Sequence, residues 1–259
     1  MITILQALLL GAVQGFTEFL PVSSSGHLVL LQRLMGLPGE MVYLDITMHV
    51  ATLLAVLLVL RKEAFDLVRH PLSRRTLQLV ASCIPAVVIV LAFKAFVLSA
   101  FGGDWLAYGF IATAALIAAG ELVAKRARRK PFVTLDRPFR TSSALLMGVA
   151  QGLAVLPGIS RSGATLCTGL LCGETREAAT KFSFLMSIPI ILGSAVMGLI
   201  DTRGGALPFD TLTTLTAFAA AFLTGLASVH FMLRLVAKRR LWGFAGYLCV
   251  LAAVTFFVL

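Results

Sequence analysis

The chain has 259 residues, of which 59% are hydrophobic and only 13% are charged. A soluble domain is nearer about 45–50% apolar and about 25% charged, so the composition excludes an ordinary soluble protein and predicts an all-α polytopic membrane protein. The net charge of +10 invites a nucleic-acid partner. We expect none, because the basic residues cluster between apolar runs, as in the cytoplasmic loops of membrane proteins.

Six apolar runs are long enough to cross a bilayer as helices, which takes about 17–25 residues. In chain order these predicted spans are residues 44–60, 76–98, 105–123, 178–199, 211–233 and 241–259. The connections rich in Lys and Arg are residues 61–75, 124–141 and 234–240. The connections at 99–104 and 200–210 hold a single arginine between them. The positive-inside rule therefore places the basic connections in the cytoplasm and the other two outside.

The side on which each span begins constrains the two remaining segments. Residues 142–177 must start and end in the cytoplasm, because they lie between an inside loop and a span that begins inside. Their apolar parts are short and Pro157-Gly158 interrupts them, which predicts a re-entrant helix-turn-helix hairpin rather than two full spans. By the same reasoning residues 1–43 form a second re-entrant hairpin, which enters from the outside.

The two hairpin segments share sequence. Gly11-Ala-Val-Gln14-Gly15 recurs as Gly148-Val-Ala-Gln151-Gly152, and Ser23-Ser-Ser-Gly26 recurs as Ser160-Arg-Ser-Gly163. Because the copies have opposite orientation, we predict a single integral-membrane domain over 1–259 that is an inverted-topology repeat. Repeat 1 covers about 1–123, the cytoplasmic loop 124–141, and repeat 2 about 142–259. Binding sites in such proteins lie near the membrane midplane, where the repeats meet.

A carboxylate and an amide lie in the first copy. Gln14 and Glu18 are one helical turn apart and share a face. A charged side chain inside a bilayer is costly and usually serves function, so Glu18 is a candidate catalytic residue; the alternative is a carboxylate that reaches the membrane interface.

Hydroxyls and an imidazole follow that carboxylate. Ser23 and Ser25 precede or begin a helix, where serine is a common cap. Ser24 and His27 are three apart, which can place them on one face of the first turn. A hydroxyl beside an imidazole is typical of a nucleophile with its base.

Arg161 is the distinctive residue of the second copy. It lies in Ser160-Arg161-Ser162-Gly-Ala-Thr165, and the planar guanidinium of arginine suits phosphate. Alternatively, Arg161 forms an ion pair with Glu18 that only holds the repeats together; both roles can coexist. Two loops of different chemistry indicate one composite site, where a carboxylate and phosphate oxygens could hold Mg²⁺ or Ca²⁺. Asp45 and His49 either support this site or lie at the interface.

Two motifs resemble those of a known family. Gln14-x-x-x-Glu18, with the following Phe-Leu-Pro-Val-Ser-Ser-Ser-Gly-His27, is similar to the first signature of the undecaprenyl-diphosphate phosphatases of the bacitracin-resistance type. Pro157-Gly-Ile-Ser-Arg-Ser-Gly-Ala-Thr165 is similar to their second signature. The family has Glu or Gln at the first motif position, and Gln14 leaves one carboxylate fewer for a metal.

This resemblance implies that one phosphate is removed from undecaprenyl diphosphate, which recycles the carrier lipid for the cell envelope and gives bacitracin resistance. It implies dependence on Mg²⁺ or Ca²⁺, six transmembrane helices plus two re-entrant hairpins, and a bacterial inner-membrane location with the site open to the periplasmic face. By motif position it assigns importance to six residues: Glu18, Ser24, His27, Ser160, Arg161 and Thr165.

In the hypothesised mechanism Arg161 and the second-loop amides hold the diphosphate, and Glu18 positions a cation or acts as base. Ser24 or a water attacks, and His27 transfers protons; seryl-phosphate, histidyl-phosphate and direct water attack all stay open. Further candidates for substrate binding are Gln14, Ser23, Ser25, Ser160, Ser162 and Thr165. The expected partners are a polyprenyl diphosphate and membrane lipid, and a homodimer is left open. The alternative function is a transporter or flippase of phosphorylated polyprenyl lipid, since broken helices in inverted repeats are typical of transporters.

Overall fold

The computed structural model describes residues 2–37, 41–93, 96, 99–100, 104–127, 139–201, 210–238 and 240–258. Within these ranges the regular structure is entirely helical. The helices are α1 (Ile4–Phe19), α2 (Ser24–Leu34), α3 (Val42–Val59), α4 (Arg61–Arg69), α5 (Arg74–Ala92), α6 (Leu106–Ala127), α7 (Thr141–Leu153), α8 (Arg161–Leu171), α9 (Arg176–Asp201), α10 (Thr211–Lys238) and α11 (Trp242–Val258).

The long helices follow the predicted apolar runs. Helices α3, α5, α6, α9 and α10 are long and apolar enough to cross a membrane. Helix α11 has 17 residues, at the lower limit of about 17 for a span. The outer face of α5 is apolar and exposed, at Val80, Ile84, Val87, Val88 and Leu91. A polytopic membrane protein is confirmed.

The connections between spans are described only in part. Residues 61–75 contain α4, a short helix of which no residue is buried. The predicted loop 124–141 falls largely on residues 128–138, which lie outside the described residues. The same holds for most of the connections at 99–104 and 200–210.

A turn that contains a proline follows the first helix of each hairpin. Leu20 is extended (ψ 148°) after the last residue of α1, as expected before Pro21, and the chain turns into α2. In the second copy Gly158 has φ 86°, and the turn after α7 leads to Ser160, the cap of α8. The four hairpin helices have 11 to 16 residues, fewer than the roughly 20 that a span needs.

Each hairpin packs against a span from the other half of the chain. Helix α1 lies against α10, and α7 lies against α5. A Cβ atom on Gly11 would overlap the carbonyl oxygen of Ala217, and one on Gly148 would overlap the carbonyl oxygen of Ser82. The glycines shared by the two copies therefore allow the close approach of each hairpin to its span.

Helix α6 contacts the turns of both hairpins. The Thr113 hydroxyl donates to the Gly158 carbonyl at 3.2 Å and accepts from the Ser160 amide at 2.9 Å. A Cβ on Gly26 would lie 2.6 Å from the Phe110 ring. Both tips thus meet at the N-terminal half of α6, and the candidate site lies where they meet.

Candidate active site

A cavity of about 840 Å³ lies between the hairpin tips and helices α3 and α9. One wall is polar and includes Glu18, Ser24, Ser25, His49, Ser160 and Arg161. The rest is mostly aliphatic and includes Leu28, Val29, Val42, Ile46, Ile190 and Ile191. A polar group of modest size and an apolar chain can therefore occupy it together.

Glu18 is the centre of the polar wall, although it is only 4% exposed. Its Oε2 accepts from Gln14 Nε2 at 2.9 Å and from Ser24 Oγ at 2.6 Å. Its Oε1 accepts from Arg161 Nη2. The structure thus brings together four of the predicted site residues: Gln14, Glu18, Ser24 and Arg161.

Arg161 is the first residue of α8, so its position is set by the turn that Ser160 caps. Its side chain is 18% exposed and lines the cavity. A guanidinium has several N–H donors in a fork, and Glu18 takes only part of this capacity. The N-terminus of α8 adds backbone amides whose dipole favours an anion. An anion in the cavity would meet both.

Other predicted binding residues hold the tips together. Ser162 Oγ donates to the Leu20 carbonyl at 2.7 Å, joining the second turn to the first. Thr165 and Ser183 share a hydrogen bond of 2.6 Å between their hydroxyls, joining α8 to α9. Neither Ser162 nor Thr165 lines the cavity, whereas Ser160 does. Their roles in substrate binding stay predictions.

His27 does not join the group around Glu18. Its Nδ1 lies 2.7 Å from the Ser23 carbonyl oxygen, and its Nε2 lies 2.6 Å from the Tyr247 hydroxyl. A carbonyl can only accept, so the network assigns the proton to Nδ1 and makes Nε2 the acceptor. His27 is not among the cavity-lining residues, and its role in proton transfer stays a prediction.

The imidazole that does line the cavity is that of His49 on α3. Its Nε2 lies 3.7 Å from Glu18 Oε2, and its Nδ1 lies 2.7 Å from the Asp45 carbonyl oxygen. The signal in the sequence is a polar pair, four residues apart, at the start of an apolar span. That spacing did not show which way the imidazole faces.

The donor set near Glu18 fits a cation that substrate oxygens complete. Within the described residues, no group of three or more His, Cys, Asp and Glu side chains could hold a metal alone. However, Gln14 Oε1 is buried and has no hydrogen-bond partner in the structure. A carboxylate has about four acceptor sites, and Glu18 uses three of them. Mg²⁺ is commonly bound through one or two carboxylates plus substrate phosphates.

A second buried ion pair lies away from the cavity. Arg176 donates to Glu121 Oε1 at 2.6 Å and to Oε2 at 2.8 Å, in a two-pronged contact between α6 and α9. The backbone amide of Leu241 also donates to Oε1, at 2.9 Å. The pair therefore ties three helices together without facing the cavity.

The chain as a whole is similar to proteins of one family. The model of the family described as "Bacitracin resistance protein BacA" matches residues 7–254. A protein of Carboxydothermus hydrogenoformans named undecaprenyl-diphosphatase is 42% identical, over 98% of this chain and 96% of its own. Proteins of the same name from Christiangramia forsetii and Bacteroides fragilis are 38% and 37% identical, again over 98% of this chain and 98% and 97% of their own. The chain belongs to the family of the bacitracin resistance protein BacA.

Proposed function

We propose that the chain hydrolyses undecaprenyl diphosphate to undecaprenyl phosphate and inorganic phosphate. The observation that carries this proposal is the contact of Glu18 with both Ser24 and Arg161 at the wall of a largely aliphatic cavity. The relatives named undecaprenyl-diphosphatase support the same activity. The chain is thus an enzyme, a phosphoric anhydride hydrolase that recycles the carrier lipid for envelope synthesis and gives bacitracin resistance.

Binding combines two surfaces of the cavity. The Arg161 fork and the amides at the start of α8 hold the terminal phosphate, while the aliphatic wall takes the first part of the lipid chain. The lipid chain is already out of water in the membrane, so the aliphatic wall contributes van der Waals packing and orients the diphosphate toward Arg161, contacts that the phosphates alone lack. We expect a long-chain polyprenyl diphosphate to be hydrolysed far better than inorganic pyrophosphate.

The chemical step follows from the contact between Ser24 and Glu18. Ser24 Oγ forms a bond to the terminal phosphorus as its proton passes to Glu18, and the bond from this phosphorus to the bridging oxygen breaks. Undecaprenyl phosphate leaves. A water then attacks the phosphorus of the seryl-phosphate and the Oγ–P bond breaks. Glu18 returns its proton to Ser24 Oγ, and inorganic phosphate departs with the oxygen and protons of the water. Direct attack by a water with Glu18 as base is the alternative.

Gln14 Oε1 and Glu18 are the residues that would hold Mg²⁺ or Ca²⁺. When bound there with the substrate, the cation supplies positive charge that stabilises the charge developing on the phosphate oxygens. Arg161 supplies the same kind of stabilisation from the other hairpin.

The proposed topology has six spans and two re-entrant hairpins in an inverted repeat, in the inner membrane, with the cavity open to the periplasm. The short hairpin helices and the packing of each hairpin on the other half support it. In a variant without native cysteines, cysteines introduced at positions 102 and 205 should react with an impermeant reagent outside intact cells. A cysteine at 128 should not; labelling there would overturn the topology. All three positions lie outside the described residues.

The decisive experiment is phosphate release by the purified protein in detergent, where no membrane separates two sides. Wild-type protein should release phosphate from undecaprenyl diphosphate, and Arg161→Ala should not. Binding of the lipid by wild-type protein without release of phosphate would instead favour a transporter, which the names of the relatives do not support. Equal kcat/KM for the lipid and for pyrophosphate would contradict the role of the aliphatic wall.

A further inference from the structure

The side chain of His27 connects a tyrosine on α11 to the turn that carries Ser24. The Tyr247 hydroxyl lies 2.6 Å from His27 Nε2, and the two rings are stacked with centroids 5.7 Å apart and planes 14° apart. On its other side His27 Nδ1 reaches the Ser23 carbonyl oxygen at 2.7 Å. These contacts form a chain from Tyr247 through His27 to Ser23, which we call the His27 bridge.

Ser23 is a residue whose backbone needs support. Its φ of 69° makes it the one non-glycine residue with positive φ in the described ranges. A left-handed conformation is unfavourable for a residue that has a side chain, and it persists only where the surroundings enforce it. The next residue is Ser24, whose hydroxyl lies 2.6 Å from Glu18 Oε2. The conformation of Ser23 therefore decides where the proposed nucleophile points.

The Tyr247 hydroxyl decides whether the His27 ring can add a second donor to the Ser23 carbonyl, which already accepts from the His27 backbone amide at 3.2 Å. A neutral imidazole has one N–H, and the hydrogen bond at one ring nitrogen decides which nitrogen carries it. Because the tyrosine hydroxyl donates to Nε2, the proton lies on Nδ1, where it can be donated to the Ser23 carbonyl. With the proton on Nε2, two acceptors would face each other at Nδ1 and the carbonyl oxygen.

We propose that Tyr247 is a positioning residue of the enzyme: through the His27 bridge its hydroxyl keeps Ser23 left-handed and Ser24 on Glu18. This inference rests on the proposed function, since Ser24 matters only if it takes part in hydrolysis. In this proposal His27 supports the Ser23 backbone, a role that needs no contact with the cavity. The proposal also extends the site to α11, near the end of the chain.

The first test is Tyr247→Phe, which keeps the stacked ring and removes only the hydroxyl. We expect kcat for undecaprenyl diphosphate to fall about two- to tenfold, the equivalent of one hydrogen bond, with KM nearly unchanged because Arg161 and the aliphatic wall are untouched. The matched control is Tyr108→Phe on α6, whose ring packs on Trp105 and Phe256; it should retain wild-type kcat. Full activity of Tyr247→Phe would overturn the proposal.

A double-mutant cycle with Ser23→Gly separates positioning from proton transfer. Glycine adopts positive φ without the penalty that serine pays, so it needs less support from the bridge. We expect Tyr247→Phe to lower kcat by less than about twofold in the Ser23→Gly background, a clear departure from independent effects. If Tyr247 instead assisted a proton transfer from His27 to substrate, the loss would be the same in both backgrounds, and the proposal would be wrong.

The tautomer of His27 can be measured without any activity. Nitrogen NMR of ¹⁵N-histidine-labelled protein should show the Nδ1–H tautomer for the signal that disappears in His27→Gln, and Tyr247→Phe should shift that signal toward the other tautomer. An Nε2–H tautomer in the wild type would overturn the bridge. If wild-type protein released no phosphate at all, the proposed function would be wrong. The NMR measurement would still show whether the His27 bridge exists, because it does not depend on activity.

Discussion

Two buried carboxylate–arginine pairs join distant parts of this chain, and only one of them has the features of an active site. Glu18 and Arg161 connect the two hairpin tips, and Glu121 and Arg176 connect α6 to α9. Both carboxylates are nearly inaccessible, at 4% and 1% exposure. Burial of an ion pair is therefore shared by the two and cannot by itself indicate catalysis.

The difference is not one of full hydrogen bonding, since Arg176 Nε is buried without a hydrogen-bond partner; it lies in the geometry of each contact and in whether the pair faces the cavity. Both oxygens of Glu121 are taken by the guanidinium of Arg176 in a two-pronged contact, and the Leu241 amide adds a third donor. By contrast, Arg161 reaches Glu18 with one nitrogen, and both side chains line the cavity beside a hydroxyl. Unused donors that face a cavity, more than the charge pair itself, mark the site.

We call Glu121–Arg176 the closed pair and Glu18–Arg161, which faces the cavity, the open pair. The largest effect that we expect is a loss of stability when the closed pair is broken. Removal of one partner of a buried ion pair typically lowers stability by about 3–5 kcal/mol, because the other charge is left buried and unpaired. Arg176→Ala should lower the free energy of unfolding in detergent by this amount. Its kcat/KM per folded molecule should stay within about twofold of wild type, as for distant sites. An equal collapse of activity in the folded fraction would place this pair in the catalytic machinery.

Substitutions at the open pair, Glu18–Arg161, should lower activity more than stability. Arg161→Ala and Glu18→Ala should each lower kcat/KM by at least ~10²-fold, or roughly 2.7 kcal/mol, as for the loss of one group aimed at developing charge. The double variant should be little worse than either single one, because members of one catalytic unit are not additive. Arg176→Ala is the matched control for loss of a buried arginine. Losses that multiply would mean that Glu18 and Arg161 act independently.

Lysine substitutions test the value of the guanidinium fork at each pair. Arg161→Lys keeps the charge but loses the planar fork, so we expect kcat/KM to fall about tenfold, equivalent to roughly 1.4 kcal/mol. At the closed pair, Arg176→Lys should leave kcat/KM unchanged and lower stability by about 1–2 kcal/mol, since one charge-assisted hydrogen bond is lost. Steady-state kinetics and unfolding of both variants check this crossover. Wild-type activity in Arg161→Lys would show that charge alone suffices.

The sequence predicted the spans and the composite site for definite physical reasons. A long run of apolar residues is stable as a helix across the bilayer whatever its neighbours are. Loops rich in Lys and Arg lie in the cytoplasm, so they indicate the direction in which each span crosses. The requirement that hairpins begin and end on one side then led to two tips that meet. Glu18 and Arg161 were therefore expected in one site, and their contact in the structure agrees with this.

Side-chain direction at the tips could not be predicted in the same way. Ser24 and His27 were expected to share a face, but His27 turns to Tyr247, which is 220 positions away in the chain. Ser162 was a candidate for substrate binding, a role that stays a prediction; its hydroxyl donates to the Leu20 carbonyl, and the residue is not among those that line the cavity. A hydroxyl or imidazole in a motif has several acceptors within reach, and the choice among them is made by residues distant in sequence.

The smallest effect that we expect concerns the cation at the open pair. Gln14→Glu places a second carboxylate beside Glu18, where the two charges repel unless a cation lies between them. The Mg²⁺ concentration for half-maximal activity should therefore fall about threefold, roughly 0.7 kcal/mol, within the range of one hydrogen bond. Without Mg²⁺ the variant should unfold more easily than wild type, and added Mg²⁺ should restore its stability.

The control is Gln151→Glu, the counterpart in the second hairpin, which has Val155 where the first has Glu18. It should be less stable with or without Mg²⁺ and should not change the Mg²⁺ requirement of the folded enzyme. If both substitutions shifted that requirement alike, the cation would not lie at Gln14 and Glu18, and the open pair would serve the phosphate alone.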